Sequence, residues 1–321
     1  MNKQNSILAV LLVVQVVIIA ILLWPGGEHE KVARVFFADL DIGKVDRILI
    51  ADDEENEAVL ERVNGQWFID IGMDEKFPAE QLKVKNFLHK LGGLQSRQIV
   101  TRTDSSHERL KVGEQAYNRR IQLESGDKSW PVLYLGSAPN YKTIHVRSKN
   151  DDAVYLVRDL SAWEASAESM AWWQTRYINV PADNLQAITV KNDHGDFRLL
   201  KNADGQWRLP DQPEQKLSTE KVATFLESVS QVSFTDIIKD RDFKPSTPMM
   251  AVVRLQTDDK DTELKIWAKE EEEGDYVMKS PESGFYVKAG MYELEDILQT
   301  QAADFMKDAE SEKSPGSENE E

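Results

Sequence analysis

Val45-Asp46-Arg47-Ile48-Leu49-Ile50 returns 140 residues later as Leu185-Gln186-Ala187-Ile188-Thr189-Val190, with apolar residues on alternate positions in both copies. Alternation with period two marks a half-buried strand. The same offset of 140 brings Leu60 onto Leu200 and Gly65-Gln66-Trp67 onto Gly205-Gln206-Trp207. The offset then shortens to 138, aligning Val84, Phe87, Leu88, Leu91 and Leu94 with Val222, Phe225, Leu226, Val229 and Val232. It falls to 132 for Leu123, Val132 and Leu135 against Leu255, Leu264 and Trp267, and to 131 for Tyr155 against Tyr286. A drift in one direction, with the order of the pattern kept, is what duplication with loop insertions and deletions leaves. Repeats this long predict two tandem domains, since solenoid periods are about 20–50 residues.

Each unit reads alike. A strand at 45–51 or 185–191 leads into a hairpin that turns at Asn64-Gly65 or Asp204-Gly205. These dipeptides tolerate the positive φ of a tight turn. Trp67 and Trp207 follow, and the reading buries both between hairpin and helix. Apolar residues at 84, 87, 88, 91 and at 222, 225, 226, 229 have helical spacing, with Ser218 as the second helix's cap. Short strands then run to a last helix, at about 159–168 and at 291–300. The expected fold is α+β: a transmembrane helix, then two duplicated domains, each a mainly antiparallel sheet with two helices.

Ser6 to Trp24 carries no charge, and Ile7 to Leu23 is almost wholly Ile, Leu, Val and Ala, broken by Gln15. That is long enough to span a bilayer, which needs about 17–25 apolar residues. Trp24 stands where an interfacial aromatic belongs, and Pro25-Gly26-Gly27 ends the helix. A cleaved signal peptide has a shorter apolar core and small residues at its cleavage site; Leu23-Trp24-Pro25 fits that poorly. The expected layout is a tail and anchor over 1–27, a linker over 28–44, domains over 45–176 and 177–306, and a disordered acidic tail over 307–321. The short N-terminal tail is placed in the cytoplasm. The body lies outside the inner membrane, and residues 7–24 lie in the bilayer.

The 321-residue chain has a net charge of −17. Setting aside Lys3 and the −4 of residues 307–321 leaves the body between Pro25 and Met306 at −14. Such a body is not a general nucleic-acid binder, which needs excess Lys and Arg for the phosphates. It would not lie flat on anionic lipid either. The lack of any cysteine excludes disulfides, thiolate zinc sites and a cysteine nucleophile.

No phosphate loop, nucleophile elbow or His-Glu-x-x-His helix is present. The five histidines, at 29, 89, 107, 145 and 194, have no partner at ligand spacing. Asp52-Asp53-Glu54-Glu55 misses the Gly and Glu of a calcium loop, and reads as a solvated turn. The same reading holds for Asp258-Asp259-Lys260-Asp261 and for Glu270 to Glu273. Ser105-Ser106-His107-Glu108 is too local for a triad, whose members come from separate elements. No catalytic residue, metal ligand or cofactor site is expected. Trp172-Trp173, with Arg176 and Tyr177, lies between the duplicated elements. These four are either packing of the domain junction or a partner-binding patch of interface-type residues.

Several stretches carry a resemblance. They are Ala33-Arg34-Val35-Phe36-Phe37 with Val45-Asp46-Arg47-Ile48, and Arg176-Tyr177-Ile178 with Leu185-Gln186-Ala187-Ile188. The Gly-Gln-Trp turns, Leu133-Tyr134-Leu135-Gly136 and Val154-Tyr155-Leu156-Val157 complete the set. Over most of residues 33–300 the chain resembles the bacterial domain-of-unknown-function family numbered 4340. It departs at Lys111-Val112-Gly113-Glu114, where a Gly-Leu-x-x-Pro-like loop is usual. The resemblance implies an auxiliary component of gliding-motility-type ABC transporters, with permease and auxiliary subunits as partners. The alternative is a periplasmic enzyme or glycan-binding module acting on envelope polymers.

Overall fold

The computed structural model describes residues 33–126, 128–269 and 274–306, with 12, 14 and 15. The expected anchor otherwise lies outside these residues, as do the start of the linker, the 270–273 acid run and the tail. Among the described residues no helix is long and apolar enough to cross a membrane. The chain forms two compact units. The first holds the described residues through Asp70 together with Gln81–Trp172; the second holds Ile71–Glu80 and everything from Trp173 onward.

The first unit begins with β1 (Arg34–Val35), β2 (Arg47–Ala51), β3 (Glu57–Val63) and β4 (Gln66–Ile69). The excursion into the second unit carries β5 (Phe77–Pro78). Helix α1 (Gln81–Gly92), β6 (Gln95–Ser96), β7 (Ile99–Thr101) and the short α2 (Asp104–Arg109) follow. Then come β8 (Arg119–Ser125), β9 (Lys128–Ser129), β10 (Leu133–Leu135), β11 (Thr143–Ser148) and β12 (Val154–Arg158). The sheet order is β4-β3-β2-β8-β10-β11-β12-β7, with β9 on β8 and a separate β1-β6 pair. Residues 33–44, within the expected linker, pack on the first unit: β1 pairs with β6, and Phe36 and Phe37 are buried. Asn64 and Gly65 turn the β3-β4 hairpin at φ of 50° and 84°. On α1 the expected residues Val84, Phe87, Leu88 and Leu91 are the buried ones, each contributing about 1.5–3 kcal/mol.

The second unit contains β13 (Leu185–Asn192), β14 (Gly195–Lys201), β15 (Trp207–Arg208), α3 (Thr219–Ser230) and β16 (Asp236–Ile238). It continues through β17 (Met249–Thr257), β18 (Asp261–Trp267), β19 (Tyr276–Lys279), β20 (Tyr286–Ala289) and α4 (Met291–Gln299). Its sheet order is β15-β14-β13-β17-β18-β19-β20-β16. The two orders correspond strand for strand. In each unit the chain leaves the hairpin edge, runs through the long helix and returns at the opposite edge. The fold is α+β, rich in mainly antiparallel sheet.

Three expectations are corrected. Residues 159–168 are not a helix. Asp159 sits at φ 62°, the Ser161 hydroxyl donates to Glu164 at 2.7 Å, and Glu164 is drawn to Lys90, so only a turn forms over 162–165. Leu199, not Leu200, stands opposite Ile188, the place Leu60 takes opposite Ile48. The connection Asp193–His194 is shorter than Asp52–Asn56, which displaces the sequence match by one residue. Finally, Trp67 is buried but Trp207 is only half-buried. Gln81 clamps the backbone of Trp67 with two 2.9 Å hydrogen bonds, while the aligned residue in the second unit is Thr219, a side chain too short to do so.

Candidate functional site

The four residues singled out from sequence divide between the units. Trp172 ends a 3-10 turn, Ser169–Trp172, and is fully buried. Its indole N–H donates to the Ser166 carbonyl at 2.9 Å. Its ring meets Phe87 of α1 edge-on at 5.3 Å, and Lys83 lies 5.0 Å over it. Trp173, 6% exposed, packs in the second unit against Phe77 at 5.8 Å and stacks on Phe234 at 6.1 Å. The Tyr177 hydroxyl donates to the Phe285 carbonyl at 2.7 Å and accepts from the Ser280 N–H at 3.1 Å. Burial pushes its phenol pKa up. Arg176 alone of the four is exposed. The indoles are core side chains of their own units, each turned inward to aromatic partners of that unit. They leave no aromatic patch at the surface.

Buried polar groups gather elsewhere, on β11. All six of its residues are buried, and Thr143, His145 and Arg147 share one face of the strand. The Arg147 guanidinium donates from Nε to the Val112 carbonyl at 2.8 Å. It also reaches the Lys149 and Asp151 carbonyls at 3.4 Å and lies 5.0 Å over the Tyr134 ring. His145 Nδ1 is 3.0 Å from the Ser137 hydroxyl, and Ser137 N–H donates to the Leu110 carbonyl at 2.8 Å. His107 Nε2 meets the Asp152 carbonyl at 2.8 Å. Together these groups hold the 107–117 loop against the sheet. Gly136 permits the approach: a Cβ there would fall 2.1 Å from the Leu110 carbonyl oxygen. Lys111, at φ 59°, bends the loop and pairs with Asp53 at 3.1 Å.

The Ser137–His145 pair has the atoms of a nucleophile and base. Burial lowers the imidazole pKa, so the ring is neutral near pH 7. No carboxylate is hydrogen-bonded to that ring among the described residues, and the hydroxyl also contacts the Leu110 carbonyl at 3.3 Å. The pair therefore ties a loop to a strand. Asp52 is likewise engaged. Burial alone would raise its pKa, but hydrogen bonds from Asn56 and Glu54, with the Arg119 charge, hold it below the usual carboxylate value. Among the described residues no group of three or more His, Asp or Glu is placed to hold a metal ion.

The family model described as Domain of unknown function (DUF4340) matches residues 67–251. The chain belongs to this family. No curated protein sequence and no solved structure matches it. The DUF4340 match runs from the β3-β4 hairpin into β17, so the pinned 107–117 loop lies inside it. No motif in this DUF4340 chain marks Ser137 or Arg147. Their signal was a strand, Thr143 to Ser148, whose polar residues alternate with Ile144 and Val146. Such alternation ordinarily marks a solvent-facing side, which is why the buried cluster was not legible.

Proposed function

We propose that this DUF4340 chain is a single-pass, membrane-anchored accessory subunit of an ABC-transporter-type complex. It acts by contact with permease and auxiliary subunits and performs no chemistry of its own. Residues 7–24 hold it in the inner membrane, with its N-terminus in the cytoplasm and its duplicated body outside. One observation carries the reading. The side chains best suited to chemistry in the first unit, buried His107, His145 and Arg147 and half-buried Ser137, are each engaged in fixing a loop. A fold arranged in this way presents surfaces more readily than a reaction centre. The uncharged apolar stretch from Ser6 to Trp24 supplies the anchor. The matching strand orders support descent of the two units from one ancestor.

With the Trp172-Trp173 pair buried, the contact falls to exposed apolar side chains such as Trp163, 74% exposed, and Met170, 50% exposed, in the first unit. Detergent co-purification of the native chain, followed by mass spectrometry, tests the reading. Transporter subunits should appear with the wild type and decline several-fold with Trp163→Ala, the melting temperature staying unchanged. Absence of any transporter subunit from the wild-type complex would reject the assignment. An exposed indole also suits sugar stacking, the observation that favours the glycan-binding alternative. Retention on insoluble cell-wall polymer, lost in the same variant, would select it.

A further inference from the structure

One stretch of the first unit carries a charge opposite in sign to that of the whole chain. From Gln81 to Thr103 there is no Asp or Glu, while Lys83, Lys85, Lys90, Arg97 and Arg102 give +5. The aligned stretch of the second unit, Thr219 to Arg241, has four acids and three bases and so carries −1. Part of the basic stretch surrounds an open cleft of about 520 Å³, lined among others by His89, Lys90, Arg97, Arg158 and Asp159. Lys90 is paired with Glu164, and Asp159 offsets one further charge. Arg97 and Arg158 are exposed and have no ion pair among the described residues.

The cleft also lies beside the N-terminal end of the body. Ser96 lines it, and Ser96 is the β-sheet partner of Arg34. Nine residues, 25–33, separate Arg34 from the apolar stretch. At about 3.3–3.6 Å per residue they reach at most about 30 Å, whatever their conformation. We infer that this cleft binds the phosphate headgroups of anionic phospholipid in the bilayer that holds the chain, through Arg97 and Arg158. The inference rests on the anchor reading above. Arginine suits the ligand because its planar donors pair with phosphate oxygens two at a time. The body, at −14, is repelled as a whole by an anionic surface. One basic cleft at the tethered end therefore sets which face of the first unit meets the lipid.

The test uses the full chain in lipid nanodiscs. Because the chain lacks cysteine, Val100→Cys gives a single site for a fluorophore, exposed and outside the cleft lining. A headgroup spin label quenches that fluorophore on approach. Quenching should rise as phosphatidylglycerol replaces phosphatidylcholine. The fraction needed for half the effect should increase about five-fold in Arg97→Gln or Arg158→Gln, with unchanged melting temperature. Lys191→Gln with Lys239→Gln, in the second unit, should leave it unmoved. Quenching indifferent to phosphatidylglycerol in a chain that resists carbonate extraction would overturn the cleft inference and leave the anchor standing. Abolition by millimolar inorganic phosphate would overturn it in favour of a free phosphate ligand. An equal effect from the second-unit control would reduce it to net charge. Release of the full chain by carbonate would reject the anchor reading, and this inference with it.

Discussion

After β10 the first unit has Gly136, with the Leu110 and Lys111 carbonyls and the Val112 side chain pressed against it. After β18 the second unit has Ala268, whose N–H and carbonyl bond to Pro248 and Thr247 at 2.9 and 2.7 Å. Strand order is the same throughout, yet at this point one unit accepts a pinned loop where the other accepts a hydrogen-bonded segment. The sheet order follows from apolar alternation that both units share. What separates them sits in the connections, where one Cβ decides how close a backbone can come.

The sharpest break in the comparison is at the adjacent tryptophans. Trp172→Ala should cost about 3–5 kcal/mol and so should Trp173→Ala, but in different places. Hydrogen exchange should rise first around Phe87 for the former and around Phe77 and Phe234 for the latter. Protection lost equally throughout both variants would mean the units unfold as one.

Next in size is Gly136→Ala. Forcing a Cβ against Leu110 and Val112 should cost about 3 kcal/mol and free the 107–117 loop to proteolysis. Ala268→Gly, its counterpart, should cost about 1 kcal/mol or less. Equal melting shifts would show that the close approach at Gly136 relaxes cheaply.

These contrasts bear on what the sequence disclosed. Alternation at Ile48 and Ile50, and at Ile188 and Val190, and the helical spacing of Val84, Phe87, Leu88 and Leu91 concern apolar burial, which leaves a periodic trace. So does a cap: the Ser218 hydroxyl accepts from the Lys221 N–H at 3.4 Å. Trp172 and Trp173 left no such trace, because an aromatic pair reads alike in a core or at an interface. Ser137 and His145 lie eight residues apart, and only the pairing of β10 with β11 brings them together. The stretch 159–168 has helix-forming composition, but Lys90 and Asp159 override it with contacts invisible in a local window.

A third contrast is with pH. His145 belongs to the first unit, and an unfolded histidine titrates near 6.5. Burial sets the folded value below that, so the neutral ring's stabilisation is complete above about 6.5 and is lost as pH falls toward the folded pKa. As pH falls below about 6.5 the first unit should weaken, and His145→Gln should flatten that slope. In the second unit, the Arg254 hydrogen bond first, with help from Lys265, holds the Glu263 pKa below its usual 4.5. Its contribution is present above that value and declines at lower pH. Exchange measured at several pH values in both units checks the order.

The smallest expected effect is at the cap. Ser218→Ala should destabilise α3 by about 1 kcal/mol, read as a small fall in the melting temperature with exchange raised in its first turn.

The ten residues Ile71–Glu80 impose a timetable on synthesis. Phe77 packs on Phe234, which the ribosome adds about 150 residues later. At ~5–20 residues per second that is a delay of about 8–30 s. Throughout it Phe77 lacks the aromatic partner it packs on in the second unit. An exposed phenylalanine on a nascent chain is a natural target for holding chaperones.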